Sequence, residues 1–284
     1  ILTGTLILES NYKPIVSSED CMDKRKLKCP PIVIMFTNNK GGCGKSSECI
    51  ELAYLLGEKY KVLAIDMDPQ CNFSLYSDVD LENHKNIKHI LDVDFENIEE
   101  CIQHTDNYDV IAGNRELVNA TKLYPDSDEE YILQEMISEF DYDFILLDSA
   151  PAQSLLSIIE YTASDYVIGV TECDDGSLLG IKNIRQDIKT ITRRRNPKLK
   201  YLGIILNKYE NTNINKLAEE QLNEMAEEID CKPFKTKIRK SSKSSEAKLM
   251  RQSVSQYAKR NAIALGNREL LKEIIKRIRS DGRM

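Results

Sequence analysis

Two lysines, Lys40 and Lys45, stand five residues apart in the stretch FTNNKGGCGKSS, which runs from Phe36 to Ser47 directly after the apolar residues Ile32–Met35. Glycines at 41, 42 and 44 surround them. Lacking Cβ atoms, these glycines let the backbone close around phosphate oxygens with its N–H groups turned inward. A strand before the loop and a helix after it bring the positive helix terminus to the same point. The pattern is that of a phosphate-binding loop, G-x-x-x-x-G-K-[ST], except that Asn39 holds the first glycine position. On this reading Gly41, Gly42, Cys43, Gly44, Lys45, Ser46 and Ser47 cradle a nucleotide, with Lys45 on the β- and γ-phosphates and the Ser46 hydroxyl on Mg²⁺. Lys40, on the rising side of the loop, is poorly placed to curl back onto its own γ-phosphate. Extended across a two-fold interface, it would reach a partner's phosphates and act as an arginine finger does.

Carboxylates that could serve such a loop lie further along. Asp66-Met-Asp68-Pro-Gln-Cys-Asn72 closes a second apolar run. At a strand's C-terminal end beside a phosphate loop, one of these carboxylates can hold metal-bound water and the other orient the attacking water. Phe144-Ile-Leu-Leu-Asp148 is four apolar residues and an aspartate, a strand that presents Asp148 to Mg²⁺ through water. Ile204-Ile-Leu-Asn207-Lys208 closes another apolar run with an amide that can both donate and accept.

These residues need strands to carry them. The sequence predicts strands over Ile32–Thr37, Val62–Asp66, Tyr108–Ala112, Phe144–Asp148, Tyr166–Thr171 and Tyr201–Leu206. Several are continuous in Ile, Val and Leu, as in a parallel sheet covered on both faces. Helical patterns fall between them, over Ser46–Glu58, Glu129–Phe140, Leu178–Thr192 and Ile214–Ile229. The alternation implies an α/β, doubly wound, mostly parallel sheet flanked by helices. Residues 1–31 read as an N-terminal extension and 32–284 as one domain. Glu82–Thr105 is acidic and irregular, with helices not placed, and Lys240–Ser245 reads as a flexible loop.

The loop resembles the K-G-G-x-G-K-[ST] signature of ParA/MinD-class ATPases, the P-loop proteins with a deviant Walker A motif. Asp66–Asn72 resembles the D-x-D-P-Q-x-N segment of the partition branch. Thr236–Ala247 resembles its T-x-I-P-R-x-x-x-x-S-E-A segment, with Arg239 where the family has Pro. Thr171-Glu172 through Gly180-Ile181 matches more loosely, and Asp148-Ser-Ala-Pro151 replaces the usual D-T-P-P. The matches run from about Ile32 to Ile275. The resemblance implies an ATP-sandwich homodimer with Lys40 as the trans lysine and Lys45 as the cis one. It makes Asp68 the water-activating residue, places Asp66 near the metal shell, and gives adenine recognition to Asn207. It also implies ATP and Mg²⁺ as cofactors, non-specific DNA and a ParB-like centromere-binding protein as partners, and a cytoplasmic, nucleoid-associated location.

Charge distribution bears on the DNA expectation. The net charge is −7, but residues 185–284 hold 25 Lys+Arg against 12 Asp+Glu, a balance of +13. The first 184 residues balance at −20. Arg193, Arg194 and Arg195 form one basic cluster, and Lys237, Arg239, Lys240 and Lys243 belong to a second. Neither is interleaved with aromatics, so phosphate contacts rather than base stacking are expected. The alternative is a MinD-like membrane ATPase. It rests on Leu270, Leu271, Ile274, Ile275 and Ile278 recurring at helical spacing among lysines and arginines. That stripe fits packing on its own domain better, so stable membrane association is not expected. None of the eight cysteines forms a C-x-x-C pair, which argues against structural zinc. An iron–sulfur reductase would need paired cysteines bridging a dimer at a cluster; Cys101 and Cys173, the candidates in the middle of the chain, lie far apart in sequence, and a colourless purified protein would exclude that reading.

Overall fold

The computed structural model describes residues 30–92, 97–119, 130–151, 155–228 and 231–284. The extension reading therefore lies outside the described residues, apart from Pro30 and Pro31. Seven strands form one sheet: β1 (Ile32–Thr37), β2 (Val62–Asp66), β3 (Ile102–His104), β4 (Asp109–Ile111), β5 (Phe144–Asp148), β6 (Tyr166–Thr171) and β7 (Lys200–Leu206). Their order is β3-β4-β2-β5-β1-β6-β7. Every neighbouring pair is parallel except β3–β4. Each residue of β1, β2, β5 and β6 is buried, and that is why these segments read as continuous apolar runs rather than alternating ones.

The longer helices are α1 (Lys45–Gly57), α5 (Leu155–Ala163), α6 (Asp175–Arg194), α7 (Asn213–Glu228) and α10 (Ala262–Ser280). Shorter ones are α2 (Asn72–Tyr76), α3 (Ile87–Ile90), α4 (Ile132–Ile137), α8 (Lys243–Leu249) and α9 (Val254–Tyr257). On one face of the sheet, Ile50, Leu52 and Leu56 of α1 pack with Leu270, Ile274 and Ile278 of α10. On the other, α4, α5, α6 and α7 contribute Leu133, Ile159, Ile184 and Leu222. The apolar stripe of the C-terminal helix is thus spent in the core, where Leu270, Ile274 and Ile278 are fully buried. No described helix is long and apolar enough to cross a membrane.

Three expectations change. The irregular acidic stretch holds α3, a 3-10 turn at Ile98–Cys101 and the antiparallel edge strand β3. That strand is only three residues long, too short for a period to show. The supposedly flexible Lys240–Ser245 is half helix, since α8 starts at Lys243. Glu273 of α10 anchors the approach to it by accepting from the Lys235 and Thr236 backbone N–H groups and from the Thr236 hydroxyl. The helix predicted over Glu129–Phe140 is described only from residue 130 and is regular over Ile132–Ile137. The end of the one predicted to Ile229 falls outside the described residues. The six described cysteines are free thiols.

Candidate nucleotide site

Register brings the motifs together. Phe36 of β1 pairs with Asp148 of β5, and Asp148 pairs with Asp66 of β2. The phosphate loop, Asp66–Asn72 and Asp148 therefore leave three adjacent strands at their C-terminal ends. Ligands of open parallel sheets bind at that edge, where the chain's connections diverge to either side.

The loop itself is held by its neighbours. Gly42 and Gly44 have φ of 82° and 100°, left-handed values that favour glycine. A Cβ on Gly44 would lie 2.1 Å from the Asn207 amide nitrogen. That nitrogen donates to the Cys43 carbonyl at 3.0 Å, and Lys208 Nζ donates to the Gly42 carbonyl at 2.6 Å and to Glu172 at 2.7 Å. Asn38 is fully buried; its amide donates to the Val170 carbonyl, and its Oδ1 accepts from the Lys40 N–H. The buried side chain of Lys45 donates to the Lys40 carbonyl at 3.4 Å. Lys40 turns the other way, its Nζ 2.7 Å from Asp174 Oδ1 at the start of α6. That partner is the main reason its pKa rises.

The carboxylates divide by partner. Asp66 is fully buried and committed: its oxygens accept from the Ser74 N–H and hydroxyl and from the Asp68 N–H. Burial still pushes its pKa to about 6 against those bonds. Asp68 lines a cavity of about 290 Å³ with Lys45, Ser46 and Ser47, and its Oδ1 accepts from the Gln70 N–H. Asp148 is fully buried, and neither of its oxygens has a well-formed hydrogen bond. Burial drives its pKa far up, Asp66 adds to the rise, and Ser46 and Lys45 oppose it. Such an orphaned carboxylate beside a serine hydroxyl fits a hydrated, oxygen-seeking divalent cation. Among the described residues no cluster of three His, Cys, Asp or Glu side chains forms a metal cage, so phosphate oxygens and waters would supply most ligands.

A second cavity of about 670 Å³ adjoins the first, bounded by Asn207, Lys208, Arg239, Lys240 and Ser244. Asn207 has one N–H on Cys43, and its Oδ1 takes the Lys208 N–H. One donor and one lone pair remain for a base.

The two basic clusters do not meet. Arg193–Arg195 close α6, next to Asn196, whose amide bonds Tyr161, Thr162 and Ser164 just ahead of β6. That is the N-terminal edge of the sheet, away from the loop. Arg195 forms a bidentate pair with Glu130, whereas Arg193 and Arg194 are exposed. Lys237–Lys240 run beside the end of β7, with Ile238 N–H on the Leu206 carbonyl and Lys240 N–H on Tyr209. This places them on the nucleotide edge. Lys237 pairs with Glu219, Lys240 with Glu210 and Lys243 with Glu246. Asn38, Glu172, Asp174 and Lys208 were not singled out from sequence. They lie within the segments that carry the motifs, but their spacing assigns them no role, and only the arrival of β6 and β7 beside β1 sets Glu172, Asp174 and Lys208 against the loop.

A parallel sheet with a two-lysine phosphate loop at its carboxyl edge defines a P-loop nucleotide-binding protein. Residues 32–201 match a family described as AAA domain. A chromosome-partitioning ATPase Soj of Treponema pallidum is 30% identical over 250 residues, covering 86% of this chain and 97% of that protein. An ATP complex of McdA from Cyanothece superposes with a TM-score of 0.75 at 19% identity, over 90% of this chain and 98% of that one. The septum site-determining protein MinD of Pyrococcus horikoshii, complexed with Mg-ADP, gives 0.70 at 23% identity, over 86% and 96%. The chain belongs to the ParA/MinD-type P-loop ATPases.

Proposed function

We propose that this protein binds ATP with Mg²⁺, pairs face to face with a second copy, and holds DNA in that state. Hydrolysis then dissolves the assembly, as a partition or positioning ATPase requires. The observation that carries the reading is the convergence of Lys45, Ser46 and Asp68 on one cavity at the sheet's carboxyl edge, with Asp148 buried behind it beside Ser46 and Lys45. The loop amides and Lys45 bind the triphosphate. Ser46 and, through water, Asp148 would hold Mg²⁺, with Asp66 behind them fixing the Asp68 segment through its hydrogen bonds. The bound cation would neutralise charge on the transferring phosphoryl group. Asp68, partly free at the cavity wall, orients the attacking water. Lys40 completes the partner's site.

The nucleotide edge also carries Lys237, Arg239, Lys240 and Lys243. A DNA-binding face there forms with the dimer and is lost with it. Contacts would be to phosphates, without sequence preference. Stimulation by a centromere-binding partner and a cytoplasmic, nucleoid-associated location belong to the same reading. A mobility-shift titration of random-sequence duplex with no nucleotide, ADP, ATP and a slowly hydrolysed analogue, over a salt series, tests it. Retardation only with ATP or the analogue, weakening steeply with salt, is the expected outcome. Equal retardation without nucleotide defeats the coupling.

A further inference from the structure

Most lysines at the nucleotide edge already have an oxygen partner. Lys40 has Asp174, Lys45 the Lys40 carbonyl, Lys208 has Glu172 and the Gly42 carbonyl, Lys240 has Glu210, and Lys243 has Glu246. Lys248 on α8 differs. Its partly buried ammonium forms no hydrogen bond or ion pair among the described residues and lies over the Tyr76 ring, 5.1 Å from the centroid. Beneath it is Glu48 in the first turn of α1, 2% exposed, with Oε2 buried and unpartnered. Burial drives the Glu48 carboxyl well above its usual range, Glu51 adds to the rise and Lys248 opposes it, while Glu48 in turn favours the ammonium of Lys248, which burial and the neighbouring Lys208 disfavour.

Position gives this pair its meaning. Lys248 borders both cavities, and the walls they share are Gly42, Gly44, Ser47, Tyr76 and Lys248 itself. The smaller cavity is lined by the loop residues Gly41, Lys45 and Ser46, and Asn207 lines the larger one. A nucleotide spanning the two, with its terminal phosphates against the loop, would have its α-phosphate at the junction. A half-desolvated ammonium with no oxygen accepting a hydrogen bond from it is costly, and a phosphate oxygen would remove that cost through a charge-assisted hydrogen bond.

We propose that Lys248 is a third lysine of the nucleotide site, contacting the α-phosphate of its own chain's nucleotide, with Glu48 as the residue that positions it. This inference rests on the nucleotide site proposed above. Because the α-phosphate is common to ADP and ATP, the contact is blind to the γ-phosphate. It also ties nucleotide occupancy to α8 and so to the basic segment ahead of it, independently of Lys40.

The test is a titration of the full chain with fluorescent ADP and ATP in Mg²⁺, for wild type, Lys248→Met, Lys248→Arg and Glu48→Gln. Lys248→Met should weaken both nucleotides by the same factor, about tenfold or more for a lost charge-assisted bond. Lys248→Arg should recover most of the loss. Glu48→Gln should weaken both to a smaller degree. Thermal melts without nucleotide show whether each variant folds, and Lys248→Arg answers the question if Lys248→Met does not fold. Unchanged affinities, or loss confined to ATP, overturn the assignment. Absence of nucleotide binding by wild type overturns the underlying site reading as well.

Discussion

Lys40 Nζ lies 2.7 Å from Asp174 Oδ1, while Lys45, five residues on, points into the loop. The first lysine is thus parked outside its own phosphate cavity, on the start of α6. Both members of the pair are over a third exposed, so water and salt screen it and releasing Lys40 costs little. The arrangement suits a side chain whose proposed target is on another copy.

Lys40→Ala should therefore leave nucleotide binding within a few-fold of wild type while removing ATP-dependent dimers and stimulated turnover. Light scattering with ATP and phosphate release check both. Unchanged dimerisation would remove the trans role.

Asp68 borders the phosphate cavity with one oxygen on the Gln70 N–H. Asp68→Ala should bind ATP and dimerise, but hydrolyse at least about a hundredfold more slowly, in the range expected for a lost positioned base. Its dimer should persist in an ATP chase followed by size-exclusion chromatography. A dimer that decays at the wild-type rate contradicts the assignment.

Glu160 of α5 is fully buried with both oxygens unpartnered, close enough to Asp148 and Asp68 for their charges to raise it further. A carboxyl raised in the fold binds its proton more tightly folded than unfolded. Its contribution to stability is therefore present at acid pH and lost as pH rises above the ordinary carboxylate value toward the folded one. Ligand-free wild type should lose stability from pH 5 to pH 8. Glu160→Gln should flatten that slope by up to about 1.4 kcal/mol per pH unit. Urea midpoints at several pH values measure it, and an unaltered slope would show that Glu160 keeps its ordinary acidity.

The basic clusters separate by position. Arg239→Glu or Lys240→Glu should weaken ATP-dependent DNA binding and lower the salt slope by about one per phosphate contact removed. Arg193→Glu, on the opposite sheet edge, should do so far less. Arg195→Ala should reduce stability through its Glu130 pair rather than DNA affinity. Mobility shifts and melts on all four variants decide, and equal DNA losses at both edges would refute a face confined to the nucleotide edge.

What could be read from the chain alone was local. Glycine at left-handed positions, lysine after glycine, and aspartate at the end of an apolar run are demands of backbone and chemistry that neighbouring residues must satisfy. The loop, Asp68 and Asp148 were visible for that reason, as were β1, β2, β5 and β6, whose two-sided burial leaves uninterrupted apolar runs. The three-residue β3 carried no such signal, because an edge strand is held by one neighbour and not by its own pattern. That Asp174 holds Lys40, that Lys208 ties down the Gly42 carbonyl and that Lys248 stands over Glu48 became visible only once β6, β7 and α8 were laid beside the loop, since residues more than a hundred positions apart share no period. The same is true of the charges. Sequence counted two basic clusters in one third of the chain, and only the direction of α6 against the strands set them on opposite edges.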